Sequence, residues 1–323
     1  MANISSRRRW APLATGLVLA ALLAACTSTA ASPSNSGNRQ PGGGGFPQAA
    51  PSADRDHPLA IFLGQDLGLI DYAQLKLRNQ CLAKAGYPQN LNAMTDGPRT
   101  AFPNLIITPR TFGPTTEQEA RRIGFGLDQP AEPPAVVGYD PNYDRAMDDC
   151  TKKSWQQLDD GAQKAYYAYY DLGNKVSGPL MKTIISRLDP QLSAKMLSCL
   201  TGKGYHATDE NAFLTNPRPQ LLGVRLGELD PGAGATWQPR KGSGTIQVGP
   251  GAPARQYHAS PEEGALAVAW LQCRQQTGMA DQQMIVAVTV QRELLTKYET
   301  SFDELNPQIQ QIAKQAATLI GVR

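Results

Sequence analysis

Apolar residues recur at intervals of three and four through most of the chain after residue 57, a spacing typical of helices with one buried face. Several of these patterns end or begin at a recognised helix boundary, such as Gly278 or the Asn306-Pro307 pair. Two connectors rich in Pro and Gly lie between the cysteine-containing helices. Helices are predicted over 71–85, 116–122, 144–171, 192–198, 260–277, 281–298 and 306–320, and the connectors are 88–114 and 215–259.

The start of one helix is marked by local chemistry. Ser260 is followed by Pro261 and then by Glu263, which predicts a hydroxyl N-cap, a proline in the first turn and a capping box. The connectors hold short β-prone pieces at 105–107 and 245–248, which we expect to pair as small hairpins. The predicted fold class is mainly α, with small irregular or β-hairpin insertions.

The first 25 residues follow a different pattern. Arg7, Arg8 and Arg9 precede an apolar run of about 15 residues, which is shorter than the roughly 20 needed to span a bilayer. This arrangement predicts a signal peptide over 1–25. The arginines loosely resemble a twin-arginine export signal, and the choice between that route and general secretion stays open.

A cysteine directly follows the apolar run. The sequence Leu23-Ala24-Ala25-Cys26 resembles the lipobox of bacterial lipoproteins. That resemblance implies cleavage before Cys26 and attachment of a diacylglyceryl group to its sulfur, so the predicted localisation is lipid-anchored at the extracytoplasmic face of the cell membrane. The alternative is an ordinary signal peptide with a chance cysteine.

Residues 26–56 form the predicted tether. They are rich in Ser, Pro, Gly and Ala and show no apolar period. Such a segment buries too little surface to offset the entropy of ordering, so we expect a disordered tether with a reach of roughly 30 Å.

Net charge excludes one class of partner. The chain has 31 Lys and Arg against 28 Asp and Glu, a formal charge of +3. Three of the basic residues lie in the predicted leader, so the mature protein is formally neutral. A neutral protein lacks the basic surface on which nucleic-acid binding depends, and no nucleic-acid partner is predicted.

The cysteines predict two disulfides. Four remain after Cys26, an even number in an oxidising compartment, and four cysteines allow three pairings. The phrase Cys-Leu-x3-Gly-Tyr occurs at both Cys81 and Cys199, and each copy is followed about 70 residues later by a second cysteine in a predicted helix. The repeat therefore predicts the pairs Cys81–Cys150 and Cys199–Cys273, each contributing roughly 4 kcal/mol in the chain-entropy model.

Two similar disulfide-stapled helical units follow from this repeat, unit A over 57–185 and unit B over 186–323. Metal binding is the rival interpretation of the four cysteines. The sequence has no C-x2-C pair, and its three histidines are scattered. We therefore predict neither a metal nor a cofactor.

Unit B contains three further phrases: the one at Cys199, the helix beginning Ser260-Pro261-Glu262-Glu263, and the later Cys273-Arg274-x2-Thr277-Gly278. Together they resemble a group of uncharacterised actinobacterial secreted lipoproteins, and the resemblance is looser for the first unit. There, the Gly124-Phe125-Gly126 phrase and the Asp148-Asp149-Cys150 helix correspond. The group implies an architecture and brings no established activity.

The densest aromatic cluster lies in the helix predicted over 144–171. It is interpreted either as a contact surface, with rings stacking against sugars or lining a groove, or as ordinary helix packing. Packing is favoured, because neighbours on one helix cannot all face the same way. The cluster comprises Trp155, Tyr166, Tyr167, Tyr169 and Tyr170.

No sequence motif identifies a catalytic site. The acid pairs Asp148-Asp149 and Asp159-Asp160 diverge on a helix, and His206 is an isolated loop residue. The predicted function is a non-enzymatic binding or interaction module of the cell envelope, with a cell-wall or envelope-protein partner. The alternatives are a cell-wall hydrolase or transferase using Asp and Glu, and a solute-binding component of a transporter.

Overall fold

The computed structural model describes residues 57–232, 237–240, 242 and 244–322, and it is mainly helical, as predicted. The predicted signal peptide 1–25, the lipidation site Cys26 and the tether 26–56 lie outside the described residues. The helices are α1 Gly64–Lys84, α2 Glu117–Ile123, α3 Pro141–Leu158, α4 Ala162–Ser186, α5 Pro190–Gly202, α6 Glu210–Thr215, α7 Pro261–Gln276, α8 Met279–Lys297 and α9 Glu299–Ile320. The strands are β1 Val136–Gly138, β2 Glu228–Leu229, β3 Ile246–Val248 and β4 Tyr257–His258.

Each disulfide ties one helix to a later one. Cys81 in α1 is bonded to Cys150 in α3, and Cys199 in α5 is bonded to Cys273 in α7. These are the pairs that the internal repeat predicts. The glycine of each repeat phrase has a positive φ, 98° in the first copy and 89° in the second, which is the conformation that commonly ends a helix.

The helix predicted over 144–171 is broken in two. At Asp159 the side chain accepts a hydrogen bond from the backbone N–H of Gly161 at 2.8 Å, while the backbone is extended, with φ of 179°. An Asp side chain that captures this N–H competes with the helical hydrogen-bond pattern. The chain therefore turns between α3 and α4, which lets the two helices pack against each other.

The last helix begins at Glu299, so the predicted start at Asn306 is wrong. Pro307 lies inside α9, where a proline costs about 3 kcal/mol relative to alanine. Phe302, in the turns before it, is 1% exposed and belongs to the main core. Burial of a large aromatic side chain offsets much of that cost.

The β structure also differs from the predicted hairpins. Residues 105–107 form no strand, and Pro103–Leu105 is a 3-10 helix. β3 pairs antiparallel with β1, with Val136 opposite Val248, and β2 pairs with β4. Since β1 lies in unit A and β3 in unit B, the first sheet joins the two predicted units.

The main hydrophobic core is also shared by both units. Leu67 of α1 and Tyr169 of α4 lie in the same buried cluster as Val290 of α8 and Ile312 of α9. A second buried cluster is formed largely by α5, α6 and α7 around Trp270. The main core therefore crosses the boundary predicted between residues 185 and 186.

Candidate functional site

The predicted aromatic contact surface divides into a buried and an exposed part. Trp155 of α3 and Tyr166 and Tyr169 of α4 are buried, whereas Tyr167 is 54% and Tyr170 is 41% exposed. The division follows from the helix period, because successive residues point about 100° apart. Tyr167 and Tyr170, three residues apart on one face, are called the exposed tyrosine pair below.

Tyr169 anchors this part of α4 in the core. Its hydroxyl donates to the side-chain oxygen of Asn306 at 2.7 Å and accepts from the backbone N–H of Leu63 at 2.8 Å. Its ring stacks on Phe62 with centroids 4.8 Å apart. Burial raises the pKa of Tyr169, so the hydroxyl remains a donor at all ordinary pH values.

The exposed tyrosine pair is supported from below by other rings. Tyr167 stands at 81° to Tyr166, with centroids 5.4 Å apart, and also contacts Trp155 at 6.2 Å. Tyr170 lies at 27° to Tyr166 and 4.9 Å from Phe102. The two exposed rings therefore do not share one plane. Each of them packs against buried or half-buried rings of Trp155, Tyr166 or Phe102.

Phe102 is a part of this site that sequence reasoning missed. It is the one non-glycine residue with positive φ in the described part of the chain, at 51°. A left-handed conformation costs about 1–2 kcal/mol for such a residue. Its ring lies over Gly173 of α4, where a Cβ would come within 2.5 Å of it. No local signal in the sequence indicates this contact. It depends on Gly173, which is 71 positions away in the chain and lies on the facing helix.

A carboxylate lies at the edge of the same cluster. The Tyr166 hydroxyl donates to Asp71 of α1 at 3.2 Å. Burial raises the pKa of Tyr166, and the neighbouring Asp71 raises it further. Burial also raises the pKa of Asp71, and the hydrogen bond from Tyr166 opposes that effect. This pair adds a polar group to an otherwise aromatic surface.

A second polar cluster surrounds Glu263, whose predicted capping box is only half present. The Ser260 hydroxyl accepts from the Glu263 N–H at 3.0 Å, as predicted. The Glu263 carboxylate instead accepts from the N–H groups of Phe125 and Gly227 and from the hydroxyl of Tyr257. Glu263 is fully buried, so the cluster is a structural tie rather than an open site.

His258 and Asp230 form an exposed pair near this cluster. The imidazole Nε2 and a carboxylate oxygen of Asp230 are 2.7 Å apart, and the two side chains are 63% and 45% exposed. The backbone N–H of Gln256, and then His258, lower the pKa of Asp230. His206 is exposed. The described residues contain no group of three or more His, Cys, Asp or Glu side chains placed to hold a metal ion.

In comparisons with known proteins, no family model, curated protein or solved structure matches the chain. Among the helices of the described segments, none combines the length and the apolar character needed to cross a membrane. The function is therefore argued from the geometry of the chain itself.

Proposed function

We propose that the protein is a lipid-anchored binding module of the cell envelope and that the exposed tyrosine pair is its contact surface. In this proposal Cys26 holds the chain at the membrane, and residues 26–56 separate the folded part from the lipid surface. The observation that carries the proposal is the exposure of Tyr167 and Tyr170 side by side on α4. Tyrosine combines a large ring with a hydroxyl, and it is enriched among the residues that dominate binding energies.

The rigidity of the surface supports this role. The exposed rings contact Trp155, Tyr166 and Phe102, and we expect this packing to restrict their rotation. The disulfide Cys81–Cys150 holds α1 and α3 together beside them. A contact surface that is already ordered loses less conformational entropy when it binds. Two disulfides also suit an oxidising compartment outside the cytoplasm.

Cell-wall polysaccharide is the partner that this surface fits best. A sugar ring has an apolar C–H face and a hydroxylated edge, which match an aromatic ring and the hydroxyl groups of Tyr167 and Tyr170. A protein interface of standard size buries about 800 Å² on each partner, and two side chains supply a small part of that. A short saccharide stacked on the exposed rings needs much less surface.

The proposal is tested by co-sedimentation of the full-length protein with isolated cell wall. The double variant Tyr167→Ala, Tyr170→Ala is expected to bind at least tenfold more weakly, because each ring contributes about 1 kcal/mol or more. The control is Ile285→Ala, which removes a 66% exposed side chain from α8. Wall binding that is unchanged in the double variant, or absent in the unmodified protein, would reject the polysaccharide partner.

The anchor is tested separately by labelling cells with a fatty-acid probe. The variant Cys26→Ser is expected to lose the label and to keep its leader, because acylation of the sulfur and cleavage before it both depend on Cys26. Tyr167→Ala, Tyr170→Ala serves as the control and is expected to be labelled like the unmodified protein. Label that persists in Cys26→Ser would contradict lipidation at this residue.

A further inference from the structure

A groove lies between α4 and the start of α9. Its volume is about 300 Å³, at the lower end of the range for small-molecule sites. Asp171 and Lys175 line the side formed by α4, and Tyr298 and Ser301 line the side formed by the start of α9. The buried residue Leu172 of α4 also lines it. The groove therefore combines apolar surface with charged and hydroxyl groups.

The groove continues the exposed tyrosine pair along α4. Tyr167, Asp171 and Lys175 follow one another at intervals of four residues, so each side chain is a neighbour of the next on the helix surface. All three side chains are exposed. Eight residues of α-helix span about 12 Å. A continuous row of side chains therefore leads from the exposed tyrosine pair to the groove, and one extended ligand can contact both.

The two helices that line the groove are tied together beside it. The hydroxyl of Tyr169 in α4 donates to the side-chain oxygen of Asn306 in α9 at 2.7 Å. Asn306 directly follows Leu305, which lines the groove. Leu172 belongs to the main core, and Tyr298 and Leu305 pack against it. Core contacts therefore set the spacing of the two sides, and an ordered site loses less conformational entropy when it binds.

Asp171 and Lys175 supply complementary hydrogen-bonding groups one helical turn apart. Neither forms an ion pair with a residue in the described part of the chain. A carboxylate only accepts hydrogen bonds and an ammonium only donates them, whereas the hydroxyl of Ser301 does both. The two charges cancel, so they favour an uncharged ligand over a strongly acidic or basic one. Two hydroxyl groups on adjacent carbons of a sugar match this arrangement, because one can donate while the other accepts.

We propose that the groove binds a neutral sugar with free hydroxyl groups on adjacent carbons, while the exposed tyrosine pair contacts neighbouring rings of the same polysaccharide. The inference rests on the proposed function and narrows its polysaccharide partner. One hydroxyl donates to Asp171, the next accepts from Lys175, and the Tyr298 ring offers an apolar contact for C–H groups. A chain of 4-linked N-acetylamino sugars has no two adjacent carbons that both carry free hydroxyls, so the groove selects against it.

The test is co-sedimentation of the full-length protein with isolated cell wall that has been oxidised with periodate and then reduced with borohydride. Periodate cleaves the bond between adjacent carbons that carry hydroxyl groups, and it leaves 4-linked N-acetylamino sugars intact. The unmodified protein is expected to bind this material at least tenfold more weakly than cell wall treated with borohydride alone. On the latter, Asp171→Ala, Lys175→Ala is expected to bind roughly tenfold more weakly than the unmodified protein, because two hydrogen bonds to charged groups are lost.

The matched control is Asp149→Ala, Lys153→Ala, which removes the same two charges at the same spacing from the exposed surface of α3 and is expected to bind like the unmodified protein. Equal binding to oxidised and control cell wall, or equal binding by the two charge-removing variants, would overturn the inference. The proposed function would survive either result if Tyr167→Ala, Tyr170→Ala still lost binding. Absence of binding by the unmodified protein to the control cell wall would overturn both.

Discussion

The carboxylate of Glu263 accepts a hydrogen bond from the backbone N–H of Phe125, 138 residues earlier in the chain, at 2.7 Å. Its other oxygen accepts from the Gly227 N–H at 2.6 Å and the Tyr257 hydroxyl at 2.8 Å. Burial raises the pKa of Tyr257, and Glu263 raises it further, so the hydroxyl stays a donor. One buried carboxylate therefore holds three separate segments against the start of α7.

We expect Glu263→Gln to lower the free energy of unfolding by about 2–4 kcal/mol. The amide oxygen can accept on one side only, and the amide NH₂ would face the N–H or O–H donors on the other. Chemical denaturation with urea measures the change. The control is Glu262→Gln, the same substitution at the exposed neighbouring position, which is expected to change stability by less than about 0.5 kcal/mol. Similar losses in both variants would contradict the role of Glu263.

A pair of glycine substitutions tests the close packing around Tyr257. A Cβ at Gly126 would lie 2.0 Å from the Tyr257 ring, so Gly126→Ala is expected to destabilise the protein by about 1–3 kcal/mol. Gly202, the last residue of α5, has nothing within 4 Å of its Cβ position, and Gly202→Ala is expected to stabilise the protein by up to about 1 kcal/mol. Thermal unfolding measures whether each substitution raises or lowers Tm. A rise in Tm for Gly126→Ala would refute the close contact with Tyr257.

Local signals in the sequence predicted the features that are determined locally. The Ser260 hydroxyl caps α7, and the repeated Cys-Leu-x3-Gly-Tyr phrase predicts the cysteine pairs found. A cap needs only residues one turn apart. Each repeat phrase likewise contains the glycine that ends its helix. The two copies can therefore be recognised as equivalent from the sequence alone.

Features that depend on distant residues were not predictable. The start of α9 is fixed by the burial of Phe302 against helices far away in the chain, which outweighs the boundary signal of Pro307. The position of Phe102 depends on Gly173, and that of the Glu263 carboxylate depends on Phe125 and Gly227. Tertiary contacts override local propensity in each case.

Two tyrosines of one helix are expected to respond differently to the same substitution. Tyr169→Phe leaves the Leu63 N–H and the Asn306 side chain without their shared partner in the core, at a cost of about 1–3 kcal/mol. Tyr167→Phe changes a half-exposed side chain and is expected to cost less than about 0.5 kcal/mol. Urea denaturation of both variants measures the difference. Equal losses would mean that the buried hydroxyl of Tyr169 contributes no more to stability than the exposed hydroxyl of Tyr167.

The loop around Gly113 is held by the Glu119 carboxylate, and the contribution of this carboxylate to stability depends on pH. Glu119 of α2 accepts from the N–H and hydroxyl of Thr115 at 2.7 and 2.9 Å and lies 3.1 Å from the Arg110 guanidinium. Burial raises the pKa of Glu119, but these hydrogen bonds and Arg110 outweigh burial and hold the pKa below its ordinary value of 4.5. Near and below pH 4.5 the unfolded chain therefore binds more protons than the folded one. The stability of the protein consequently decreases as the pH is lowered through this window.

Glu119→Gln is expected to lower the free energy of unfolding by about 1 kcal/mol at pH 7, a value reduced for partial exposure. The deficit should be constant above pH 4.5 and should shrink as the pH falls through the folded-state pKa, because the native carboxylate is then protonated as well. Urea denaturation at pH 7 and at pH 3 measures it. The control is Glu117→Gln, whose carboxylate is 54% exposed and 3.9 Å from Arg121. A deficit of equal size at both pH values would show that the charge of Glu119 does not hold the loop.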